Sequence, residues 1–219
     1  MKILHVINLN FTQVVILQLK KGNFMDPINL ILAINLFLTS SANFSGAKKG
    51  LKTSVTKSVE RPVSFLQSVP PNISALIFVL TIFGVFKIGT LSENYEQKFY
   101  QLRLIGLVVY IIFSWLQVLS YKTLGKNYAQ DVVIMKEHNL VTNGIYKFIR
   151  HPQYLSQVIS DLGAGLALLS YLIFPITLLF ELPLFIARAA VEDKMLQKHF
   201  GESYSQYKKR SGFMIPFIG

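Results

Sequence analysis

Five apolar runs divide this chain, and they constrain its fold more than any other feature. They cover residues 27–43, 72–91, 102–121, 154–169 and 171–187. A helix needs about 20 apolar residues, with a range of about 17–25, to cross a bilayer. The second run carries one charge, Lys87, and the stretch from Leu104 to Ser120 carries none. Only 15% of the chain is charged, against roughly a quarter in an ordinary soluble domain. The predicted fold class is therefore all-α: a polytopic integral membrane protein of about five transmembrane helices. The last two runs meet at Ser170-Tyr171 with no polar loop between them, which predicts a tight C-terminal helical hairpin. Pro175 and Pro183 lie in its returning helix, where prolines kink membrane helices.

The formal charge is +11, and the placement of the charges explains it. Segments 44–71, 122–153 and the tail from 188 hold sixteen of the 22 basic residues. With five spans these segments share one side of the membrane. The positive-inside rule makes that side cytosolic and leaves the N-terminus outside. In a prokaryote the membrane would be the plasma (inner) membrane. No nucleic-acid partner is needed to account for the basicity. There are no cysteines, so thiolate chemistry is excluded, and the four histidines lack metal-site spacing. No metal is expected.

The first twenty residues read as an interfacial or partly buried helix, since no small-residue cleavage site follows Lys2. Segment 44–71, rich in Ser, Thr, Lys and Gly, reads as a flexible cytosolic loop. The chain thus divides into an N-terminal membrane region, 1–121, and a region 122–219 that holds the chemistry.

That chemistry gathers in two polar clusters flanking the hairpin. The first, His138 to Tyr154, sets His, Arg, Tyr, Pro and Gly against a membrane boundary. His151-Pro152 starts a span, and proline suits a first helical turn. The backbone N–H groups of that turn would face a polar ligand. Thr142-Asn143-Gly144 supplies a turn. The second cluster holds Arg188 and Glu192, which share a helix face at a spacing of four and offer a cation and a carboxylate to one ligand. Downstream, Gly201 fits a helix stop. Tyr204, Tyr207 and Lys208-Lys209-Arg210 belong to an amphipathic tail on the membrane surface.

Taken in order, these motifs resemble the isoprenylcysteine carboxyl methyltransferase family and the wider group of small membrane methyltransferases that includes the phospholipid methyltransferases. The matching residues are His138-x-Leu140-Val141-x-x-Gly144-x-Tyr146, then Arg150-His151-Pro152-x-Tyr154. Arg188-x-x-x-Glu192, Phe200-Gly201-x-x-Tyr204-x-x-Tyr207 and Ile215-Pro216 complete the series. It runs from Leu124-Gly125 to Pro216. Two positions depart from the family's pattern. Phe213 stands where a basic residue is common, and only Glu192-Asp193 stands where a run of glutamates is.

The resemblance implies S-adenosyl-L-methionine as methyl donor. His138, Asn139, Leu140 and Val141 would line it, Tyr146, His151, Pro152, Gln153 and Tyr154 would add contacts, and Glu192 would take its polar groups. Arg188 would be the catalytic residue that meets the acceptor. The acceptor would be lipophilic and enter from the bilayer among the membrane lipids; prenylcysteine, lipid, amine and small amphiphile all stay open. The competing readings are a membrane NADPH-dependent sterol-type reductase, a phospholipid or amine N-methyltransferase, and a non-catalytic membrane scaffold.

Overall fold

A computed structural model describes residues 26–56, 58–60, 64–128, 132–135, 139–216 and 218. Among the described residues four helices are long and apolar enough to cross a membrane: Pro27–Phe44, Phe65–Val85, Tyr100–Leu124 and Ile173–Phe200. The first belongs to α1 (Pro27–Thr56). Helix α2 (Val69–Val85) follows a short turn at Phe65–Gln67. A one-turn-and-a-half α3 (Glu93–Lys98) leads into α4 (Tyr100–Leu124). Helix α5 (Pro152–Ala167) and α6 (Ile173–Phe200) form the predicted hairpin, and α7 (Glu202–Arg210) follows Gly201. The integral, multi-pass helical fold is as expected, with the 16-residue α5 as its shorter fifth apolar segment. Two short strands, β1 (Ser58–Glu60) and β2 (Ile134–Met135), pair antiparallel.

Local chemistry explains the ends. Asp26 caps α1, its Oδ1 accepting from the Ile28 and Asn29 backbone N–H groups at 3.0 and 3.2 Å. Pro70 and Pro71 sit in the first turn of α2, and Pro152 opens α5, where no N–H is missed. Gly125 and Gly201 close α4 and α6 with positive φ. Within α6, Pro183 has no N–H to return to the carbonyl of Leu179. The helix widens there into a π turn over Thr177–Glu181. The hairpin corner is held by Ser170, whose hydroxyl donates to the Gly89 carbonyl at 3.0 Å.

The segment expected as a flexible loop differs. Helix α1 runs on through Thr56, well into the polar Ser/Thr/Lys stretch that reads as loop. The first twenty residues, expected as an interfacial or partly buried helix, lie outside the described residues.

Helices α4 and α5 pack backbone to backbone. A Cβ on Gly106 would come within 2.6 Å of the Ala167 nitrogen, and one on Gly163 within 2.7 Å of the Tyr110 nitrogen. Small residues at such crossings are how helices associate in lipid, where dispersion rather than water drives packing. Ile28, Leu32, Ile77, Leu107, Ala164 and Ile173 fill the apolar core around this crossing. Its far end is closed by Arg103, which is 1% exposed. Arg103 donates to both Asp26 carboxylate oxygens, Asn29 Oδ1 and the Ala167 carbonyl.

Candidate active site

At the opposite end, α5 begins where the chain is fixed by its own C-terminal segment. The backbone N–H groups of Arg150 and His151 donate to the Gly212 and Phe213 carbonyls at 2.8 and 3.1 Å. The His151 N–H is therefore taken by the C-terminal segment. Beneath it Asp193 on α6, 7% exposed, gathers the neighbouring elements. Its Oδ1 lies 2.7 Å from His151 Nε2 and accepts from the Tyr204 hydroxyl. Its Oδ2 lies 3.3 Å from Arg150 Nε. Asp193 reads in sequence as a solvated neighbour of Glu192. Only the return of α7, which buries Tyr204 and Tyr207, makes it an interior anchor. The tail tyrosines thus point inward instead of lying on a lipid surface. Tyr207 donates to the Tyr146 carbonyl at 2.6 Å, and burial pushes its own hydroxyl up to about 12.

One cleft opens among these elements. Asn139, Leu140, Val141, Tyr146, His151, Gln153, Tyr154 and Glu192 all line it. Of the other sequence-predicted donor residues, Pro152 sits fully buried behind the wall as the first residue of α5, and His138 lies outside the described residues. Leu124, Asn127, Val133 and Leu196 also line the cleft. Asn127, Val133 and Leu196 carry no motif signal; they come from the turn after α4, the segment before β2 and α6. The cleft holds ≈ 80 Å³ of space open to water.

A second cavity of ≈ 200 Å³ lies on the membrane side. Arg188, Pro71, Ser74, Tyr128 and Phe185 line it, and Gln153 and Tyr154 line both cavities. Tyr154 is the partition. Its hydroxyl donates to Glu192 Oε2 at 2.9 Å and accepts from Arg188 Nε at 3.1 Å. Its ring stacks on Phe185 at 4.9 Å and on the His151 imidazole at 5.7 Å. Arg188 is 2% exposed, and its Nη1 donates to the Leu66 and Gln67 carbonyls at 2.7 and 3.2 Å. Arg188 and Glu192 therefore share a helix face but front different cavities, with the tyrosine hydroxyl between them.

A sulfonium-bearing nucleoside donor fits the first cleft by its chemistry. Glu192 keeps about a third of its side chain exposed there (34%), a carboxylate available to a cationic group. The Tyr146, Tyr154 and Tyr204 rings around it suit a cation as well.

The chain is similar to several known membrane methyltransferases. Residues 102–203 match the phospholipid methyltransferase family model. A protein-S-isoprenylcysteine O-methyltransferase of Tribolium castaneum is 34% identical over 116 residues, covering 52% of this chain and 41% of that protein. The protein-S-isoprenylcysteine O-methyltransferase B of Arabidopsis thaliana is 26% identical over 204 residues, 89% of this chain and 95% of the relative. The match with the Tribolium protein thus spans about two fifths of that relative's length. The solved structure of the eukaryotic intramembrane Ras methyltransferase, isoprenylcysteine carboxyl methyltransferase, superposes with a TM-score of 0.59 at 25% identity. It covers 89% of this chain and 70% of that one. Family model, relatives and fold together bear out the resemblance of this chain to the isoprenylcysteine carboxyl methyltransferase-like integral-membrane methyltransferases.

Proposed function

We propose that this protein is an S-adenosyl-L-methionine-dependent methyltransferase acting on a lipophilic, membrane-borne acceptor that presents a carboxylate. The observation that carries the reading is the shared wall: the Glu192 cleft and the Arg188 cavity meet at Gln153 and Tyr154. Two reactants held on either side of one side chain need little further alignment. Such positioning supplies roughly 7–11 kcal/mol of a barrier.

The donor supplies a methyl group on a sulfonium, which leaves as a neutral thioether when the acceptor oxygen takes the methyl. The chain's own residues do the rest. Glu192 and the Asn139–Val141 segment hold the donor, and that segment must yield to admit a molecule larger than the present cleft. His151, fixed by Asp193, and Tyr146 set the cleft's walls. Arg188 orients the acceptor carboxylate, and its planar fork suits that task. A carboxylate needs no base to remove a proton. Residues 122–219 carry this machinery. Residues 1–121 build the membrane region through which the acceptor arrives, and the positive-inside distribution sets the machinery on the cytosolic face. The relatives' names support a prenylcysteine carboxyl as the acceptor class.

The test is calorimetric titration of the purified chain with S-adenosylhomocysteine and with NADPH. Binding of the first and not the second is expected. Failure to bind S-adenosylhomocysteine overturns the reading, and binding of NADPH favours the reductase. Glu192→Ala should abolish donor-analogue binding, whereas Arg188→Ala should spare it and lower turnover.

A further inference from the structure

The Arg188 guanidinium is held from two directions. Its Nε donates to the Tyr154 hydroxyl, and its Nη1 donates to the Leu66 and Gln67 carbonyls. Those carbonyls belong to the short turn Phe65–Gln67 ahead of α2, where Ser64 Oγ accepts from the Leu66 N–H at 3.2 Å. A guanidinium grips a carboxylate through a pair of N–H groups on one edge. The end-on edge uses Nη1, which the turn engages, and the side-on edge uses Nε, which Tyr154 engages. An arriving carboxylate therefore has to displace a partner. Against the turn it has the advantage, because a bond between two charged groups is stronger than one to a neutral carbonyl.

Gln67 also reaches the other side of the site. Its Nε2 donates to the Val132 carbonyl and its Oε1 accepts from the Val132 N–H, both at 3.0 Å. The side-chain amide thus acts as one rung of a ladder, clipping the turn to the segment that leads into β2. Val133, the next residue, lines the donor cleft. Val132 itself packs in a cluster with Ile134 and Met195, and Leu196, another cleft residue, packs against that cluster. One residue therefore touches the acceptor-side cation through its backbone and a wall of the donor cleft through its side chain. A cleft of ≈ 80 Å³ cannot take S-adenosyl-L-methionine until its lining moves.

We propose that Gln67 is a positioning residue for the transfer. Seating the donor shifts the Val132–Val133 wall, Gln67 carries the shift to the Phe65–Gln67 turn, and the turn yields Arg188 Nη1 to the acceptor carboxylate. This order, which rests on the methyltransferase reading, seats the donor first and the carboxylate second. It also keeps Arg188, 2% exposed, paired with carbonyls until a carboxylate replaces them, and a buried cation left without partners is costly. Because coupling between two binding sites is reciprocal, each ligand then tightens the other.

The experiment is binding of N-acetyl-S-farnesylcysteine, a prenylcysteine carboxylate, to the full chain in lipid nanodiscs, with and without saturating S-adenosylhomocysteine. Saturation should tighten the binding by about fivefold or more. Gln67→Ala removes the amide and keeps the backbone carbonyls. It should bind the prenylcysteine alone more tightly than wild type does, and saturation should then add little. Gln67→Glu keeps the length and loses the donation to Val132, and should lose the coupling as well. A residue needed only for the fold would instead weaken both ligands together, and that outcome overturns the proposal. Wild-type affinities that are independent of each other overturn it too, while leaving the methyltransferase reading in place, as does coupling that persists in full in Gln67→Ala. Failure of S-adenosylhomocysteine to bind the wild type overturns both.

Discussion

Arg188 and Glu192 stand four residues apart on α6 and front different cavities, bridged by the Tyr154 hydroxyl, 3.1 Å from the one and 2.9 Å from the other. The consequence is that neither charged group is independent. The hydroxyl directs the Arg188 Nε–H away from the membrane side and fixes one oxygen of Glu192. It couples the orientation of a cation that would face the acceptor to that of a carboxylate that would face the donor.

Tyr154→Phe tests this coupling. The ring and its stacking on Phe185 and His151 remain, and only the hydroxyl is lost. Hydrogen bonds to charged groups contribute about 1.5–3 kcal/mol each. Turnover should fall by roughly 10–100-fold, with donor-analogue affinity falling by less. Initial rates and S-adenosylhomocysteine titration measure the two separately. Unchanged turnover would show that Arg188 and Glu192 hold their places without the tyrosine.

Much of this was legible in the chain, and the misses share one cause. The apolar runs at 102–121 and 154–169 mark α4 and α5 to within a few residues, because lipid-facing length is a local property. The run at 171–187 marks only the first half of α6, which continues into polar sequence to Phe200. Composition reads that polarity as exposure, yet Asp193 is buried because α7 folds back on it. The same reasoning hides the helix over 45–56 behind its Ser, Thr and Lys content. The donor-side residues could be gathered from motif order. Val133 and Leu196 could not, since nothing in a lone leucine or valine tells a cleft wall from a lipid face. Tyr154 as a partition depends on how α5 crosses α6, which no spacing along one helix encodes.

Asp193 should behave as an anchor of the fold. Asp193→Asn keeps the shape and removes the charge that faces Arg150 and His151. Leaving a buried cation without its partner costs about 3–5 kcal/mol. For a chain of this size about 2–4 °C accompany each kcal/mol, so the melting temperature should drop by roughly 6–20 °C. Thermal unfolding in detergent reads this directly. A shift of a degree or two would mean that the Lys208 and Ser211 backbone carbonyls, which accept from Arg150 Nη1, suffice to hold it.

The α4–α5 crossing makes a steric prediction. Gly163→Val places a branched side chain where even a Cβ would meet the Tyr110 nitrogen at 2.7 Å and the Gly106 carbonyl at 2.9 Å. Both neighbours are backbone and cannot step aside, so the helices must separate. Loss of the monodisperse peak in size-exclusion chromatography is expected. The same change at Gly125, whose surroundings are open within 4 Å, should meet no such clash and strain only the positive φ of that turn.

The Asp26–Arg103 pair at the other end predicts the acid behaviour. Partial burial raises the Asp26 carboxyl, but the Arg103 guanidinium and the Asn29 and Ile28 backbone N–H groups outweigh it, and the net pKa is lowered. A carboxyl whose folded pKa is depressed binds its proton more readily in the unfolded chain. Its contribution to stability is therefore complete above the ordinary aspartate value of about 3.9. That contribution fades as pH falls from there through the lower folded value. Asp26→Asn removes it at every pH. The variant should melt below the wild type at pH 7, where it also leaves the buried Arg103 without its carboxylate. The gap between the two should narrow as the pH is taken down through the carboxylate range. Melting curves collected along that series check the sign. A gap that widens on acidification would mean that Asp26 gains its proton more easily in the folded protein, against the bonding seen at the start of α1.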